Sequence, residues 1–590
     1  MKTPAAHNLN FLWGQLLIEE LLRNGVEYFC LSPGSRSSPL AVAIGTHPQA
    51  RAFVHFDERG SAFHALGFVS ATRKPAVVLC TSGTAVANLF PAVIEASKKK
   101  LPLIVLTADR PPELRQTGAN QTIDQPGIFG PYARWQSDLP CPAKEIHPEF
   151  ILTSVDQAVY RARRSPGGPV HLNCMFREPL SNIDSKETLE EYQKNLQRWK
   201  KSTEPFTRYI APASEIDPDV HNEISSAVKR IKNGVIAVGK LYSDAQRAAV
   251  LAVARKLEWP LFPDVTSGLR MGAAKPQVIS YFDQLLLSKK LREQLPVDGV
   301  LHLGGRMTSK RFHQFLEEKK PQNYVMVLDH PLRNDPQHAV SLRIEASVTV
   351  FCERLILETA SRKKTKHLQL LQKLNAGVDE LFETELGPDG IINEPAVARL
   401  VSQLTPKGHG LFLGNSMPVR DMDMFADQAG TTAVIGANRG ASGIDGNIAT
   451  VAGFAQGLKA PVTAVLGDLA FLHDLNSLAM VKKLGKPVVF VVLNNDGGAI
   501  FSFLPIAEHP QNFEEFFAAA HGLKFEAAAA LFGLEYANPR TMSEFKTAYE
   551  RALKGEDPII IEVLTDRKEN VKWHEYLQER VVKEIEKNLG

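Results

Sequence analysis

The stretch that decides the fold reads AVLGDLAFLHDLNSL at residues 464–478 and KPVVFVVLNNDGGAIF at residues 486–501. Two short apolar runs, 462–466 and 488–493, have the length and composition that are typical of buried strands. The residues between them leave room for a helix, which is the connection that parallel strands need. Polar residues follow both strands, so we expect Asp468 and Asn495 to lie at the same edge of a parallel sheet.

Similar apolar runs, separated by helical patterns, occur along the rest of the chain. Asn8 is placed to cap a helix whose apolar positions begin at Leu9 and that ends near Gly25. Nearly continuous apolar runs are typical of strands buried on both faces of a parallel sheet. The predicted strands are 26–31, 53–56, 76–80, 103–107, 170–173, 235–238, 261–262, 299–303, 324–328, 410–413, 432–435, 462–466, 488–493 and 559–563.

This alternation predicts an α/β protein with three consecutive domains, each with a mainly parallel sheet flanked by helices. Charged, polar segments mark two linkers between the domains. The predicted order is an N-terminal domain at 1–185, a linker at 186–210, a central domain at 211–360, a linker at 361–390 and a C-terminal domain at 391–590. A length of 590 residues agrees with roughly three or four domains.

The composition is ordinary for a soluble globular protein, with 44% hydrophobic and 23% charged residues. A net charge of +3 gives no general attraction to nucleic acid or membrane. The five cysteines are scattered, none in a CxxC spacing, which argues against a disulfide framework and favours a reduced, cytoplasmic setting. The N-terminus does not resemble a signal peptide, and no apolar stretch is long enough to span a membrane.

The residues after the two strands of the opening stretch carry hard oxygen donors. The carboxylate of Asp468, the amide oxygen of Asn495 and a carbonyl of the glycine-rich turn would suit Mg²⁺. Glycines there let the backbone approach a diphosphate, and the helix after Asp468 offers free N–H groups. Each motif alone is more often a simple turn, but the two together favour a site.

Arginine-containing loops follow predicted strands in all three parts of the chain. A single arginine in a loop is more often a surface residue, but its planar guanidinium also matches a carboxylate. Because there are five such loops, we expect a substrate with several carboxylates. The loops are 32–38, 108–114, 304–311, 414–420 and 437–443.

Several sequence blocks resemble those of a known family. They are SPGSRSSPL, HFDERG, TSGTAVANL, TADRPPELR with GANQTIDQPG, GNSMPVRD, NRGASGIDG, GDLAFLHDLNSL and NNDGGAIF. Together they resemble the 2-succinyl-5-enolpyruvyl-6-hydroxy-3-cyclohexene-1-carboxylate (SEPHCHC) synthase family, MenD, of thiamine-diphosphate enzymes. The blocks cover about residues 8–130 and 410–505, with a shorter match at 304–312. Leu469, in place of the glycine of the general GDG motif, is that family's variant, while Ala470 and Ala499 depart from it.

The resemblance implies how a cofactor would be held. Thiamine diphosphate would bind with Mg²⁺, or with Mn²⁺ in its place, and the metal ligands would be Asp468, Asn495 and the carbonyl of Gly497. Glu58 would hydrogen-bond the aminopyrimidine ring and activate the cofactor. From the local sequence alone, Glu58 could equally be a helix cap or an ion-pair partner of Arg59. Further cofactor contacts would come from Ser416, Ile444, Gly467, Leu469, Ala470, Gly498 and Ile500.

The resemblance also implies a reaction, that of a transferase in menaquinone biosynthesis. The enzyme would decarboxylate 2-oxoglutarate and add the succinyl carbanion equivalent to isochorismate in a 1,4-addition, giving SEPHCHC and CO₂. Ser416, Arg420 and Arg439 would hold the succinyl part, and Ile500, Phe501 and Leu504 would form an apolar wall, unless they are ordinary core. The residues expected to hold isochorismate are Ser35, Arg36, Arg110, Asn120, Gln121, Lys310 and Arg311. A homodimer or homotetramer with active sites between chains is implied as well.

Three other interpretations remain open at this point. Another thiamine-diphosphate enzyme, of the acetolactate synthase or oxo-acid decarboxylase type, would have smaller, less charged substrates. A non-catalytic relative would keep the fold, although the presence of Glu58, Asp468 and Asn495 argues against decay of the site. A dinucleotide-binding enzyme would need a GxGxxG motif after a strand, and the sequence has no clean example.

Overall fold

The computed structural model describes residues 6–183, 189–211, 218–272, 275–388 and 390–589. Within these ranges the strands form three sheets, and all paired neighbours run parallel. The predicted α/β fold with three mainly parallel sheets is therefore confirmed. The limits given above for the three domains stay predictions, and residues 1–5, 184–188, 212–217, 273–274, 389 and 590, on which parts of them depend, lie outside the described residues.

The first sheet is formed by residues of the N-terminal third of the chain. Its strands are β1 (Tyr28–Leu31), β2 (Arg51–Val54), β3 (Ala76–Cys80), β4 (Leu103–Asp109), β5 (Trp135–Leu139) and β6 (Val170–Met175), in the order β2-β1-β3-β4-β6-β5. The helices of this part are α1 (Leu9–Arg23), α2 (Ser38–Thr46), α3 (Glu58–Thr72), α4 (Thr84–Asn88), α5 (Phe90–Lys99) and α6 (Glu149–Arg163). As predicted, Asn8 caps α1, since its side chain accepts a hydrogen bond from the Phe11 N–H.

The second sheet follows a short helix, α7 (Gln197–Lys200), which lies in the predicted linker. Its strands are β7 (Gly234–Val238), β8 (Leu261–Pro263), β9 (Gly299–Leu303), β10 (Asn323–Leu328) and β11 (Leu342–Glu345), in the order β11-β10-β9-β7-β8. The helices of this part are α8 (Pro218–Arg230), α9 (Asp244–Leu257), α10 (Phe282–Leu285), α11 (Lys289–Gln294), α12 (Lys310–Lys319) and α13 (Val348–Glu358). A long helix, α14 (Lys366–Glu385), forms much of the second predicted linker.

The third sheet contains the opening stretch of the sequence. Its strands are β12 (Gly410–Leu413), β13 (Val434–Ala437), β14 (Val462–Gly467), β15 (Val488–Asn494), β16 (Glu535–Ala537) and β17 (Ile559–Leu564), in the order β13-β12-β14-β15-β17-β16. The helices are α15 (Glu394–Leu404), α16 (Met417–Phe425), α17 (Asn447–Leu458), α18 (Asp468–Leu472), α19 (Leu478–Val481), α20 (Pro510–Phe513), α21 (Glu526–Phe532), α22 (Met542–Lys554) and α23 (Arg567–Leu589).

Single turns of 3₁₀ or π-helix complete the described secondary structure. The 3₁₀ turns are Pro112–Leu114, Gly130–Tyr132, Lys194–Leu196, Val265–Ser267, Leu475–Ser477, Lys482–Leu484, Ala499–Phe503 and Pro505–Glu508, and the π-helical turn is Glu514–Ala518. None of the helices in the described residues is long and apolar enough to cross a membrane. All five cysteines are buried and free.

The errors in the predicted strands fall mainly at sheet edges. The prediction of a buried strand at 53–56 was wrong, because β2 ends at Val54 and its side chains alternate between half-buried and exposed. Strand β13 begins two residues later than predicted, and β5, β11 and β16 were missed. These five strands, β2, β5, β11, β13 and β16, each lie at the edge of a sheet. An edge strand is open on one face or one side, so it does not require a continuous apolar run. The inner strands β1, β3, β4 and β6 are buried along their whole length, as predicted.

The chain divides into two compact units. The first consists of Met1–Pro212, Asn438–Lys459 and His473–Lys486, and the second of Ala213–Ala437, Ala460–Leu472 and Pro487–Gly590. In the first unit, α17 packs against α3 at very short range. A Cβ added at Gly453 of α17 would lie 1.9 Å from the carbonyl oxygen of His64, and one added at Gly67 of α3 would lie 2.1 Å from that of Thr450. The two helices are therefore closer than residues with side chains would allow.

Candidate active site

The two motifs of the opening stretch meet at the carboxyl edge of the third sheet. Strands β14 and β15 pair in register up to Gly467 and Leu493, so the residues that follow them emerge side by side. Asp468 begins α18, and its Oδ2 accepts a hydrogen bond of 2.8 Å from the backbone N–H of Gly497. The predicted proximity of the two motifs is thus a direct contact.

The oxygen atoms at this edge fit a hard cation. Asn495 is buried, and its Oδ1 has no hydrogen-bond partner among the described residues, whereas its Nδ2 donates to Glu394 Oε1 over 2.8 Å. The Asp468 carboxylate beside it is also buried, and burial raises its pKa, opposed by the N–H groups of Gly497 and Leu469. A buried oxygen without a partner is rare in a native protein, and a bound cation would satisfy it. Carboxylate and amide oxygens are the donor types that Mg²⁺ prefers.

The turn that follows Asn495 requires glycine. Gly497 has φ +130°, and a Cβ added there would lie 2.1 Å from the carbonyl oxygen of Ala518. Gly498 donates its N–H to the same carbonyl over 2.6 Å. By contrast, a Cβ at Gly467 would meet no atom of the described residues within 4 Å, so this part of the edge is open. A tight turn beside open backbone would let a diphosphate approach the edge.

The predicted apolar wall lies just after this turn. Ile500 and Phe501 are half-buried and Leu504 is 41% exposed, so the three are not part of the buried core. The alternative interpretation of these residues as ordinary core is therefore wrong. Phe501 packs edge-on against Phe517, with ring centroids 5.9 Å apart. Apolar side chains that stay accessible beside a polar edge are suited to contact a bound molecule.

Glu58 is the first residue of α3, but it is not the residue that caps the helix. Asp57 is the cap, because its Oδ1 accepts from the N–H groups of Arg59 and Gly60. The Arg59 guanidinium contacts His473 instead of Glu58: it donates to the His473 carbonyl oxygen over 2.8 Å and lies 3.2 Å from His473 Nδ1. Glu58 is half-buried, with Asn88 Nδ2 3.4 Å from its Oε2. Both ordinary explanations of Glu58 are therefore wrong.

Two of the predicted anion-binding arginines lie close together in the first unit. Arg36 is buried, and its pKa is lowered by burial and then by the positive charge of Arg110. Its Nη1 donates to the carbonyl oxygen of Phe176 over 2.8 Å, while its Nε has no partner among the described residues. Arg110 Nη1 donates to Ser82 Oγ over 3.1 Å, and Gln121 Nε2 donates to the Ser82 carbonyl over 2.9 Å. Two neighbouring guanidinium groups would favour a carboxylate between them.

The remaining predicted residues have less defined surroundings. In the first unit Ser35 and Asn120 are exposed, and Ile444 is half-buried. In the second unit Lys310 is exposed at the start of α12, and Arg311 pairs with Asp283 over 2.5 Å beside a cleft of about 540 Å³. Ala470 is buried and Leu469 is half-buried.

Two loops that carry predicted substrate residues have strained or tightly held backbones. Ser416 has φ +70°, and its carbonyl oxygen accepts a hydrogen bond from Arg420, whose pKa is lowered by burial. In the first unit, both carboxylate oxygens of the buried Glu95 accept from the loop after Arg439, from Gly440 N–H over 2.8 Å and Ala441 N–H over 2.6 Å. Residues held in this way are pre-organised rather than free to move.

Sequence reasoning missed three residues that contact the predicted ones. Ser82 lies within the block TSGTAVANL after β3, so its position at a strand end was a usable signal. Glu394 contacts Asn495, and His521 Nε2 lies 3.3 Å from Asp468 Oδ2. Neither follows a predicted strand, and nothing in the local sequence distinguishes them from surface residues.

Comparison with known families assigns the class of protein. The N-terminal binding domain of thiamine pyrophosphate (thiamine diphosphate) enzymes matches residues 13–128, the middle domain of these enzymes matches 190–413, and their C-terminal binding domain matches 424–563. A solved structure, benzoylformate decarboxylase from Polynucleobacter necessarius, has the same fold, with a TM-score of 0.71 over 94% of this chain and 98% of that chain at 18% identity. The protein is a thiamine-diphosphate enzyme by its domains.

Curated relatives define the family more narrowly. The chain is 49% identical over 576 residues to the 2-succinyl-5-enolpyruvyl-6-hydroxy-3-cyclohexene-1-carboxylate synthase of Rubrobacter xylanophilus, covering 98% of each chain. It is 44% identical to the synthase of the same name from Salinibacter ruber, again over 98% of each chain, and 41% identical to that of Prosthecochloris aestuarii. The chain belongs to the SEPHCHC synthase family.

Proposed function

We propose that this protein decarboxylates 2-oxoglutarate and adds the remaining four-carbon unit to isochorismate, giving SEPHCHC and CO₂. The reaction would depend on thiamine diphosphate and Mg²⁺, or Mn²⁺ in its place. The observation that carries the proposal is the buried, partnerless Oδ1 of Asn495 beside the Asp468 carboxylate and the Gly497 turn. The family and its three cofactor-binding domains support the same conclusion.

The residues that would bind the cofactor belong to both compact units. Asp468, Asn495 and the carbonyl of Gly497 would ligate the cation, which in turn neutralises a diphosphate. When bound, thiamine diphosphate supplies a carbanion and an electron sink for the loss of CO₂. The Glu58 carboxyl would form a hydrogen bond with a ring nitrogen of the pyrimidine. Since its carboxyl is engaged neither in capping nor with Arg59, it is available for this hydrogen bond.

Different arginines would bind the two dicarboxylate substrates. Arg36 and Arg110, with Gln121, Ser35, Asn120, Lys310 and Arg311, would hold isochorismate. Ser416, Arg420 and Arg439 would hold the succinyl part, while Ile500, Phe501 and Leu504 would exclude water from the reacting carbon. Burial favours this use of Arg36 and Arg420, because a desolvated guanidinium gains more from a carboxylate than an exposed one does.

We also propose that the enzyme works as a homodimer or a homotetramer of such dimers in the cytoplasm. The family resemblance implies active sites between chains, with Glu58 of one chain and Asp468 of the partner chain at each site, and the two residues do belong to different compact units. The five free, buried cysteines fit a reducing compartment. Sedimentation of the purified protein over a range of concentrations would test the assembly.

The activity is tested with purified protein, thiamine diphosphate, Mg²⁺ and 2-oxoglutarate, with and without isochorismate. Loss of isochorismate absorbance that requires every component, with a product mass equal to both substrates less CO₂, is the expected result. Release of CO₂ that does not respond to isochorismate would instead indicate a different acceptor. A protein that binds neither the cofactor nor Mg²⁺ would contradict the proposal.

A further inference from the structure

A buried carboxylate lies directly behind the proposed cation ligand Asn495. Glu394, the first residue of α15, is 1% exposed. Its Oε1 accepts two hydrogen bonds, one of 2.8 Å from Asn495 Nδ2 and one of 3.0 Å from Thr565 Oγ1. Helix capping does not explain its presence, because the cap of α15 is Asn393, whose side chain accepts from the Ala396 N–H.

The orientation of the Asn495 amide decides whether this residue can bind a cation at all. An asparagine side chain has a donor end and an acceptor end, and rotation by half a turn exchanges them. If the NH₂ group faced the cation, the ligand would be lost. An acceptor oxygen placed behind the amide, such as Glu394 Oε1, holds the NH₂ group toward itself and leaves Oδ1 on the opposite side.

We propose that Glu394 is a positioning residue that fixes the Asn495 amide with its oxygen toward the metal ion. Glu394 would not touch the metal or the substrate. It acts through the ligand, as the outer hydrogen-bond partners of metal ligands generally do. This inference rests on the proposed function, since it takes Asn495 as a cation ligand.

A neighbouring pair of the same residue types shows what is special about this one. Asn494 also donates its Nδ2 to a buried glutamate, Glu562, over 2.6 Å. However, Asn494 Oδ1 accepts a hydrogen bond from the Asp496 N–H, so both ends of that amide are satisfied within the protein. At Asn495 only the donor end is satisfied, and the oriented oxygen is left for a partner from outside the chain.

The variant that separates orientation from packing is Glu394→Gln, which keeps the size of the side chain. The new amide can donate as well as accept, so it can pair with Asn495 in either orientation. We expect Mg²⁺ to bind about 10- to 100-fold more weakly in the presence of thiamine diphosphate, which is the typical loss for such outer partners. Calorimetric titration of metal-free protein measures this without turnover. Thr565→Val is the matched control, because it removes one hydrogen bond to Glu394 but keeps the acceptor behind Asn495, and should change the affinity little.

The decisive test exchanges the hydrogen-bond donor and acceptor between positions 394 and 495. Asn495→Asp alone places two buried carboxyl groups against each other and should also weaken Mg²⁺ binding. In the double variant Glu394→Gln/Asn495→Asp, the new glutamine donates to one carboxylate oxygen and leaves the other for the metal, so most of the lost affinity should return. A double variant that binds no better than Asn495→Asp would overturn the inference, as would a folded Glu394→Gln protein with wild-type affinity. If wild-type protein binds neither Mg²⁺ nor thiamine diphosphate, the proposed function itself fails instead.

Discussion

Replacement of Arg36 by alanine should raise the KM for isochorismate much more than the KM for 2-oxoglutarate. Arg36 is buried next to Arg110, with its Nε free of partners among the described residues. It forms an ion pair with Glu178, at 3.3 Å, whose side chain is 69% exposed. Such an exposed partner contributes little, so the guanidinium keeps most of its capacity for a substrate carboxylate.

The size of the effect follows from the type of bond that is lost. A hydrogen bond to a charged group contributes about 1.5–3 kcal/mol, which corresponds to roughly a 10- to 150-fold change in kcat/KM for isochorismate. Part of the cost falls on stability as well. The Arg36 guanidinium also donates to the carbonyl oxygen of Phe176, and a buried carbonyl left without its donor costs about 1–3 kcal/mol.

Steady-state kinetics with each substrate varied in turn would measure the two KM values. Glu178→Gln is the control, since it removes the ion pair but keeps the guanidinium, and should leave both KM values near those of the wild type. Denaturant unfolding of both variants separates loss of fold from loss of binding. An Arg36→Ala protein that stays folded and shows the larger rise in KM for 2-oxoglutarate would refute the reasoning.

Four further predictions concern other parts of the chain. Glu58→Gln should lower kcat about 10²- to 10⁴-fold while thiamine diphosphate still binds, as rate and calorimetry would show. Gly440→Ala places a Cβ 2.8 Å from the backbone carbonyl oxygen of Glu95, so the loop that carries Arg439 must shift. Because Arg439 is then displaced, the KM for 2-oxoglutarate should rise by up to about 100-fold. Gly453→Ala should destabilise the first unit by about 1–3 kcal/mol or more in urea unfolding, because its helix must move away from α3. Burial lowers the pKa of His64 from 6.5 to about 3, so between these pH values a proton binds the His64 ring only in the unfolded chain. The wild-type protein therefore loses stability as the pH falls from about 7.5 to 5.5. In His64→Gln this decrease in the free energy of unfolding should be smaller by about 1 kcal/mol.

The inner strands of each sheet could be predicted because a strand buried on both faces has a nearly continuous run of apolar residues. Residues 76–80, 299–303 and 410–413 were predicted with the bounds that the structure shows. Edge strands such as β5 and β16 are partly exposed to solvent, so polar residues are tolerated there as well as apolar ones. Their positions are set by pairing with a neighbouring strand, and this long-range contact has no local signature.

The candidate site shows the same division. Asp468 and Asn495 follow strongly apolar strands, so their meeting could be deduced from topology alone. Glu394 lies about a hundred residues away in the chain and reaches Asn495 only through the packing of α15. The sequence places Asp57 and Glu58 side by side without indicating which one caps the helix, and only the backbone geometry at Asp57 decides it.

The short-range packing of α3 against α17 has a consequence for how the protein is made. The first compact unit includes Asn438–Lys459 and His473–Lys486, which leave the ribosome long after the rest of that unit. Until then, the glycine-lined face of α3 around Gly67 has no α17 to cover it. The N-terminal part of the nascent chain therefore has an exposed apolar helix face while more than two hundred further residues are synthesised. A fragment that ends before residue 438 would retain that face permanently, and it should need chaperones and aggregate where the full-length chain does not.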